Sequence, residues 1–341
     1  MKKAVLFQNG SIGDFLMWVY LAEQLHESGR YSHITVVVPR NAEFVRELVE
    51  EYPYITVQEV SLSNPAGVFA LMRGSKTALV HPTIGRIPLR VKILAWGITR
   101  AKGSTLVGFQ DAGLLCSLYD QKLSYDTTKP YIETVRELVR LCGGEADQNA
   151  PRLKFAPLYD VAEIYGLTDK KYIVFHPGAS NPRRMFGVSA ATEVVDFLLK
   201  TYPDITLVLS GGAEESALIT EIVSRVGKER IRVAVNTGAR EIASLIYFSE
   251  LFIGTDSGMT HLACFLDKQV LEVAHNATQN WLAFYHPRAR VLYRLAKENT
   301  VRSDEEYLKR NAGGILKPFG EVPVEAVCAE LTQLFSPKLE A

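Results

Sequence analysis

The chain lacks any run of apolar residues near the ~18 needed to cross a bilayer. Its first residues, Met1-Lys2-Lys3 and then Ala4-Val5-Leu6-Phe7, imitate the start of a signal peptide. Gln8-Asn9-Gly10 and Asp14 cut that run short, so no apolar segment of signal-peptide length follows. Cysteine is scarce: Cys116, Cys142, Cys264 and Cys328 are far apart and form no C-x-x-C pair. That spacing argues against a zinc site or a disulfide framework and for reduced thiols in a cytoplasmic protein. Net charge is also lacking, with Lys+Arg and Asp+Glu both at 38. A globally basic nucleic-acid binder is therefore not expected.

The neutral total hides one local absence. Between Val60 and Gln110 there is no Asp or Glu, while Arg73, Lys76, Arg86, Arg90, Lys92, Arg100 and Lys102 all fall there. The window carries +7 and the remainder −7. Its basic residues interleave with Ile87, Leu89, Ile93, Leu94 and Trp96. Such a surface attracts anionic lipid headgroups, at about 1 kcal/mol per basic residue near the bilayer. It would equally bind a phosphorylated glycolipid, or be a solvated basic face.

With 341 residues, 47% hydrophobic and 22% charged, the chain has the length of two globular domains. Short β-branched runs such as Ala4–Phe7, His33–Val38, Tyr172–Phe175, Ile205–Leu209 and Leu251–Ile253 alternate with longer helical patterns. This is the signature of βαβ units and parallel sheets. Gly143–Pro157, with Gly143-Gly144, Pro151 and Pro157, breaks the alternation and reads as a linker. The expected division is an N-terminal domain over 1–150 and a C-terminal domain over 151–341. Ligands of open parallel sheets sit beyond the carboxyl ends of the strands, so the loops there carry the functional reading.

Four loops stand out. Gln8–Asp14 is glycine-rich, but it lacks the third glycine of a dinucleotide fingerprint and puts a carboxylate where a pyrophosphate would approach. Asp14 either supports a helix N-terminus or accepts a proton in a cleft. His176–Arg184 offers Gly178 for a tight turn, Ser180 as a donor, and Arg183 and Arg184 for phosphate oxygens. Ser210–Glu215 offers Glu214 or Glu215 to a ribose or base edge, or simply begins a helix. Gly254–His261 joins a strand to an apolar helix, whose first amides would suit an anion. Ser257 and Thr260 add hydroxyls there; Asp256 or Ser257 could also be only an N-cap.

Taken in order, Ser11-Ile12-Gly13-Asp14, Pro177-Gly178-Ala179-Ser180, Gly211-Gly212-Ala213-Glu214 and Asp256–Ala263 resemble the family 9 glycosyltransferases, which include the ADP-heptose:lipopolysaccharide heptosyltransferases. The resemblance runs from about Lys3 to Asn280. It implies an α/β GT-B architecture: two Rossmann-like domains facing across a cleft, the N-terminal one for the acceptor and the C-terminal one for the donor. It implies inverting transfer from a nucleotide-diphosphate sugar, usually ADP-heptose, to an anionic glycolipid, with no metal and no cofactor.

By the same resemblance, Asp14 is the general base. Ser180, Arg184, Glu214, Asp256, Ser257, Gly258, Thr260 and His261 belong to the donor site. Ser11, Gly13, Arg86, Arg90 and Lys92 are placed on the acceptor side, with contact to a membrane surface. The chain departs from the family at Arg184-Met185-Phe186, where Lys-x-Trp is usual. It departs again at Ala274-His275-Asn276-Ala277-Thr278, where Gly-Pro-Thr is common, and at Met17 and Tyr20. A sugar-nucleotide epimerase of similar build and a non-catalytic nucleotide-binding module are the competing readings; a nicotinamide dehydrogenase is more distant.

Overall fold

The structure, a computed structural model, describes every residue except 1, 9–10, 62–63, 74, 81–92, 95, 98–99, 102, 111–117, 278, 297–299, 303–318 and 336–341. Packing divides the chain into two compact units, Met1–Ala156 and Pro157–Ala341.

The first unit alternates strand and helix: β1 (Lys2–Phe7), α1 (Ile12–Glu27), β2 (Tyr31–Val38), α2 (Ala42–Glu47), β3 (Ile55–Glu59), α3 (Pro65–Met72), β4 (Thr77–Val80), β5 (Thr105–Phe109), β6 (Gln121–Leu123) and α4 (Tyr131–Leu141). Its six strands lie in the order β3-β2-β1-β4-β5-β6, and every pair is parallel. Helices on both faces bury successive residues of a parallel strand, which is why Ala4, Val5, Leu6 and Phe7 are all buried. Val5, Phe7, Val37, Ala78 and Leu106 pack one face against Val68 and Met72 of α3. On α1, Gly13 through Leu25 are buried without a break.

The second unit repeats the scheme: α5 (Val161–Ile164), β7 (Lys171–His176), α6 (Val188–Thr201), β8 (Ile205–Gly211), α7 (Ser216–Val226), β9 (Ile231–Val235), α8 (Ala239–Phe248), β10 (Leu251–Thr255), α9 (Gly258–Phe265), β11 (Val270–Val273), β12 (Ala289–Arg294), β13 (Val301–Arg302) and α10 (Val324–Phe335). The sheet order is β13-β12-β11-β10-β7-β8-β9, with only the β12–β13 edge antiparallel. Phe175, Leu207, Leu209, Ile253, Leu271 and Val273 form one core with Val195 and Leu198 of α6, Ile222 of α7 and Leu331 of α10.

In each sheet the chain starts in the middle, runs to one edge, then returns to continue toward the other. The reversal falls between β1 and β4 in the first sheet and between β7 and β10 in the second. At such a point the loops leaving the two strands diverge to opposite faces and open a crevice. The loops after β1, β7 and β10 therefore hold positions of topological privilege.

The expected two-domain α/β class with parallel sheets is what the chain adopts. Three strands, β6, β12 and β13, and helices α4 and α5 go beyond the elements expected from the sequence. The stretch 87–96, where basic and apolar residues interleave, lies largely outside the described residues. Among the described residues, no helix is long and apolar enough to cross a membrane. Cys142, Cys264 and Cys328 are free thiols.

The segment after α4 is not a loose tether. Tyr20 Oη donates to the Asp147 carbonyl at 2.7 Å, and Gln24 Oε1 accepts from the Asp147 amide at 2.8 Å. Arg136, buried on α4, donates to the carbonyls of Asp147, Gln148 and Asn149 at 3.0, 2.9 and 2.9 Å. Further on, Lys154 pairs with Glu23 at 2.7 Å, and its amide donates to Tyr52 Oη at 2.7 Å. Residues 151–156 thus pack with the first unit. Arg136→Met would remove the Arg136 bonds to the Gln148 and Asn149 carbonyls and leave Asp147 with Tyr20, losing bonds made by a charged donor. It should cost about 2–3 kcal/mol of first-unit stability, read as a lower urea midpoint. An unchanged midpoint would mean that water replaces the clamp.

Candidate functional site

The second unit builds its site at the reversal of strand order. β7 ends at His176, and the loop Pro177–Asn181 leads into a 3-10 turn, Pro182–Arg184. Asn181 caps that turn, its Oδ1 accepting from the Arg183 amide at 3.1 Å. The Phe186 amide donates to the Pro177 carbonyl at 3.0 Å and closes the loop. Phe186 then anchors it in the core, edge-on to Phe175 at 5.2 Å and to His275 at 4.7 Å.

The loop after β10 meets this one. Thr255 Oγ1 donates to the Gly178 carbonyl at 2.6 Å, and Thr260 Oγ1 donates to the Thr255 carbonyl at 2.5 Å. Arg184 spans both loops, with Nη1 3.0 Å from Asp256 Oδ2 and Nη2 2.9 Å from Ser180 Oγ. The Asp256 side chain is 3% exposed and that of Arg184 21%, so the pair is a mostly desolvated one at the rim of the unit.

Ser257 is the N-cap of α9 by backbone conformation, yet its side chain makes no capping bond, and Oγ is buried without a partner. First-turn amides of a helix point at whatever sits before it and favour negative charge. An uncommitted hydroxyl at that position adds a donor to those amides. The N-cap role considered for Ser257 is thus positional only, and Asp256 is occupied by Arg184.

The third loop leans on the first. A Cβ at Gly178 would come within 2.5 Å of Glu215 Cγ, so any larger residue would displace the Glu215 side chain where the two loops pass. Glu215 Oε2 accepts from the Gly212 amide at 2.7 Å. Its carboxylate is therefore spent on the loop's own backbone, whereas Glu214 is exposed.

His261, buried on α9, has Nδ1 3.0 Å from Tyr285 Oη. On β11, Glu272 is completely buried. Its Oε2 accepts from the Ala283 amide at 2.8 Å, and Oε1 has no partner. Burial, reinforced by the Asp256 charge, pushes its carboxyl well above the usual carboxylate range. Glu272 and Tyr285 are site residues the sequence reading does not reach.

In the first unit, Asp14 occupies the third position of α1 and is 9% exposed. Its Oδ2 accepts from the Ser11 amide at 2.6 Å and from Ser11 Oγ at 3.1 Å. Gln8 Nε2 donates to the Ser11 carbonyl at 3.0 Å. The capping geometry considered for Asp14 is therefore present. Gly13 is buried beside it, and Ser11 is exposed. Asn9 and Gly10 of this loop lie outside the described residues, as do Arg86, Arg90 and Lys92 of the basic segment. Within that segment Arg100 pairs with Asp120 at 2.5 Å and lies 5.9 Å over the Trp96 ring, so an acid from outside the window offsets part of its charge. Among the described residues no group of three or more His, Cys, Asp or Glu is arranged to hold a metal ion.

A family model for glycosyltransferase family 9 (heptosyltransferase) matches residues 93–308. The chain belongs to that family. Lipopolysaccharide heptosyltransferase 1 of Campylobacter coli is 25% identical over 108 residues; the match spans 31% of this chain and 32% of that protein. A family 9 glycosyltransferase from Veillonella parvula shares the fold at a TM-score of 0.73 and 19% identity, with 98% of each chain covered. The ADP-heptose LPS heptosyltransferase II of E. coli does so at 0.73 and 18%, also with 98% of each covered.

This family 9 member buries two histidines against its site. Burial pulls the imidazoles of both His176 and His275 down to about 4. Both are neutral when folded, whereas the unfolded chain takes up their protons near 6.5. Above 6.5 they cost nothing. As pH falls from 6.5 to 4, the unfolded chain binds more protons and each lowers stability by up to about 1.4 kcal/mol per pH unit. His275→Gln should therefore flatten the slope of unfolding free energy between pH 6.5 and 4.5 by about one proton. An equal slope in the variant and the parent would place the acid sensitivity elsewhere.

Proposed function

We propose that the chain is an inverting heptosyltransferase that takes a nucleotide-diphosphate sugar, ADP-heptose before others, and glycosylates an anionic glycolipid of the lipopolysaccharide core type. The observation that carries this is the second-unit cradle: Arg184 held by Asp256 and Ser180 beside an α9 N-terminus whose Ser257 hydroxyl is uncommitted. Fixed cationic and amide donors of this kind stabilise the charge that develops on a leaving diphosphate, without a metal. The named activity of the E. coli structure supports the choice of donor.

In this reading Asp256, Ser257, Gly258, Thr260 and His261 with Ser180 and Arg184 form the donor side, and Glu214 serves the nucleoside. Inversion needs one displacement. The acceptor hydroxyl oxygen forms a bond to the anomeric carbon as the bond to the diphosphate oxygen breaks. The hydroxyl proton passes to the Asp14 carboxylate, and the nucleoside diphosphate departs with the electron pair. Ser11 and Gly13 frame Asp14. The basic segment, including Arg86, Arg90 and Lys92, takes the acceptor's anionic groups and the inner face of the cytoplasmic membrane.

Asp14→Asn keeps a capping oxygen and removes the proton acceptor. Turnover of ADP-heptose onto a lipopolysaccharide-core acceptor should fall by about 10²–10⁴-fold, with ADP affinity and melting temperature nearly unchanged. Near-parental turnover would retire Asp14 as the base. Arg184→Ala should weaken ADP binding by about 1.5–3 kcal/mol, read by calorimetry; unaltered binding would remove the cradle from the donor site. A product formed from the sugar nucleotide without an acceptor would favour an epimerase instead.

A further inference from the structure

The loop after β11 braces the turn that carries Arg184. Asn276 Nδ2 donates to the Arg183 carbonyl at 2.9 Å. A carbonyl only accepts, so the group that faces it is the amide nitrogen of Asn276 and not the amide oxygen. The residue before Asn276 is His275, whose ring meets Phe186 edge-on at 4.7 Å. The loop after β11 thus touches the turn at residues 183 and 186, which flank Arg184 in sequence.

Asn276 is itself firmly placed. Its backbone is left-handed, with φ 45°, a conformation that asparagine accepts more readily than most residues with a side chain. Its amide donates to the Gly320 carbonyl at 3.3 Å. His275 Nδ1 accepts from the Val322 amide at 3.1 Å. The brace therefore reaches back to the stretch 320–322, just ahead of α10.

The Arg183 carbonyl and the Arg184 amide belong to one planar peptide unit. The Arg184 amide donates to the Asn181 carbonyl at 2.9 Å. Both ends of the unit are therefore held, one by the turn itself and the other by Asn276. Fixing that plane places the Arg184 Cα, from which the side chain departs. The bonds from the guanidinium to Asp256 and Ser180 are ones that an arriving anion competes for. The bond at the Arg183 carbonyl is not, because a carbonyl has no proton to offer an anion.

We propose that Asn276 is a positioning residue for donor binding: through the Arg183 carbonyl it holds the peptide unit from which Arg184 reaches the diphosphate. This rests on the reading that Arg184 binds the donor diphosphate. The bond from Asn276 is exposed, so water replaces it at little cost to the fold. Its effect falls on the alignment of one cation.

Asn276→Gly suits the test, since glycine takes the left-handed backbone without strain and only the side chain is lost. In the full chain it should raise the Kd for ADP roughly two- to tenfold, with the melting temperature nearly unchanged. In the ADP-free chain, solvent exchange of the Arg184 amide should quicken, because the freed peptide unit swings. In the Arg184→Ala background the same substitution should add nothing to the Kd. An equal loss in that background would mean that Asn276 acts on another part of the site, which overturns the proposal. Weaker binding with an unaltered exchange rate at Arg184 overturns it too. If Arg184→Ala weakens ADP binding and Asn276→Gly does not, the inference fails by itself. If Arg184→Ala leaves ADP binding unaltered, the donor reading of Arg184 fails and takes the inference with it.

Discussion

A carboxylate as deeply buried as that of Asp256 must be neutralised where it stands, or its desolvation costs several kcal/mol. Arg184 does this, and much of the second-unit site follows from it. To reach Asp256, the loop after β7 must fold back toward the loop after β10. Thr255 then bonds the Gly178 carbonyl, and Phe186 locks the loop's exit into the core. The pair is also asymmetric in exposure, its acid covered and its guanidinium partly open. An arginine fixed at one edge by a buried acid and at another by Ser180 has few rotamers left to lose when an anion arrives, which is the physical content of preorganisation.

The sheet supplies the other constraint. Strand order reverses between β7 and β10, so the loops at their carboxyl ends part to opposite faces. The crevice this leaves is where Arg184 and the α9 N-terminus come together. The first unit has the same reversal between β1 and β4, and the Asp14 loop follows β1. One topological rule therefore puts the Asp14, Arg184 and Ser257 segments at the carboxyl ends of strands, in loops or in the first turns of the helices that follow.

What the sequence disclosed and what it hid divide along range of interaction. The loops at His176–Arg184 and Gly254–His261 were legible because each is a local strand–loop–helix pattern with small residues at the turn. The Arg184–Asp256 pair was not, since 72 residues separate its members and nothing local couples them. Nothing local distinguishes Glu215 from Glu214, and only the folded loop shows the Glu215 carboxylate turned onto the Gly212 amide. Glu272 and Tyr285 sit in β11 and a short turn with no motif, and only packing brings them to α9. Helix α4 shows a different failure. Its apolar residues Tyr131, Ile132, Val135, Leu138 and Val139 keep helical spacing, but Thr134 and Arg136 are buried among them. A charge that serves as an internal clamp reads, in sequence, as an interruption.

Asp14 raises the sharpest question of role, because the capping geometry that would explain it structurally is present in full. The two roles use the same feature. An amide and a hydroxyl of Ser11 converge on Oδ2, which fixes the carboxyl plane; Gln8 in turn braces the Ser11 carbonyl. A general base gains from such bracing, because proton transfer demands a defined approach and a free rotor must first be ordered. The α1 N-terminus favours negative charge at this position whichever role the carboxylate plays. The cap is thus no argument against the base: a carboxylate tied down through one oxygen by its own helix is oriented before any substrate arrives, and the ordering cost falls on folding and not on each turnover.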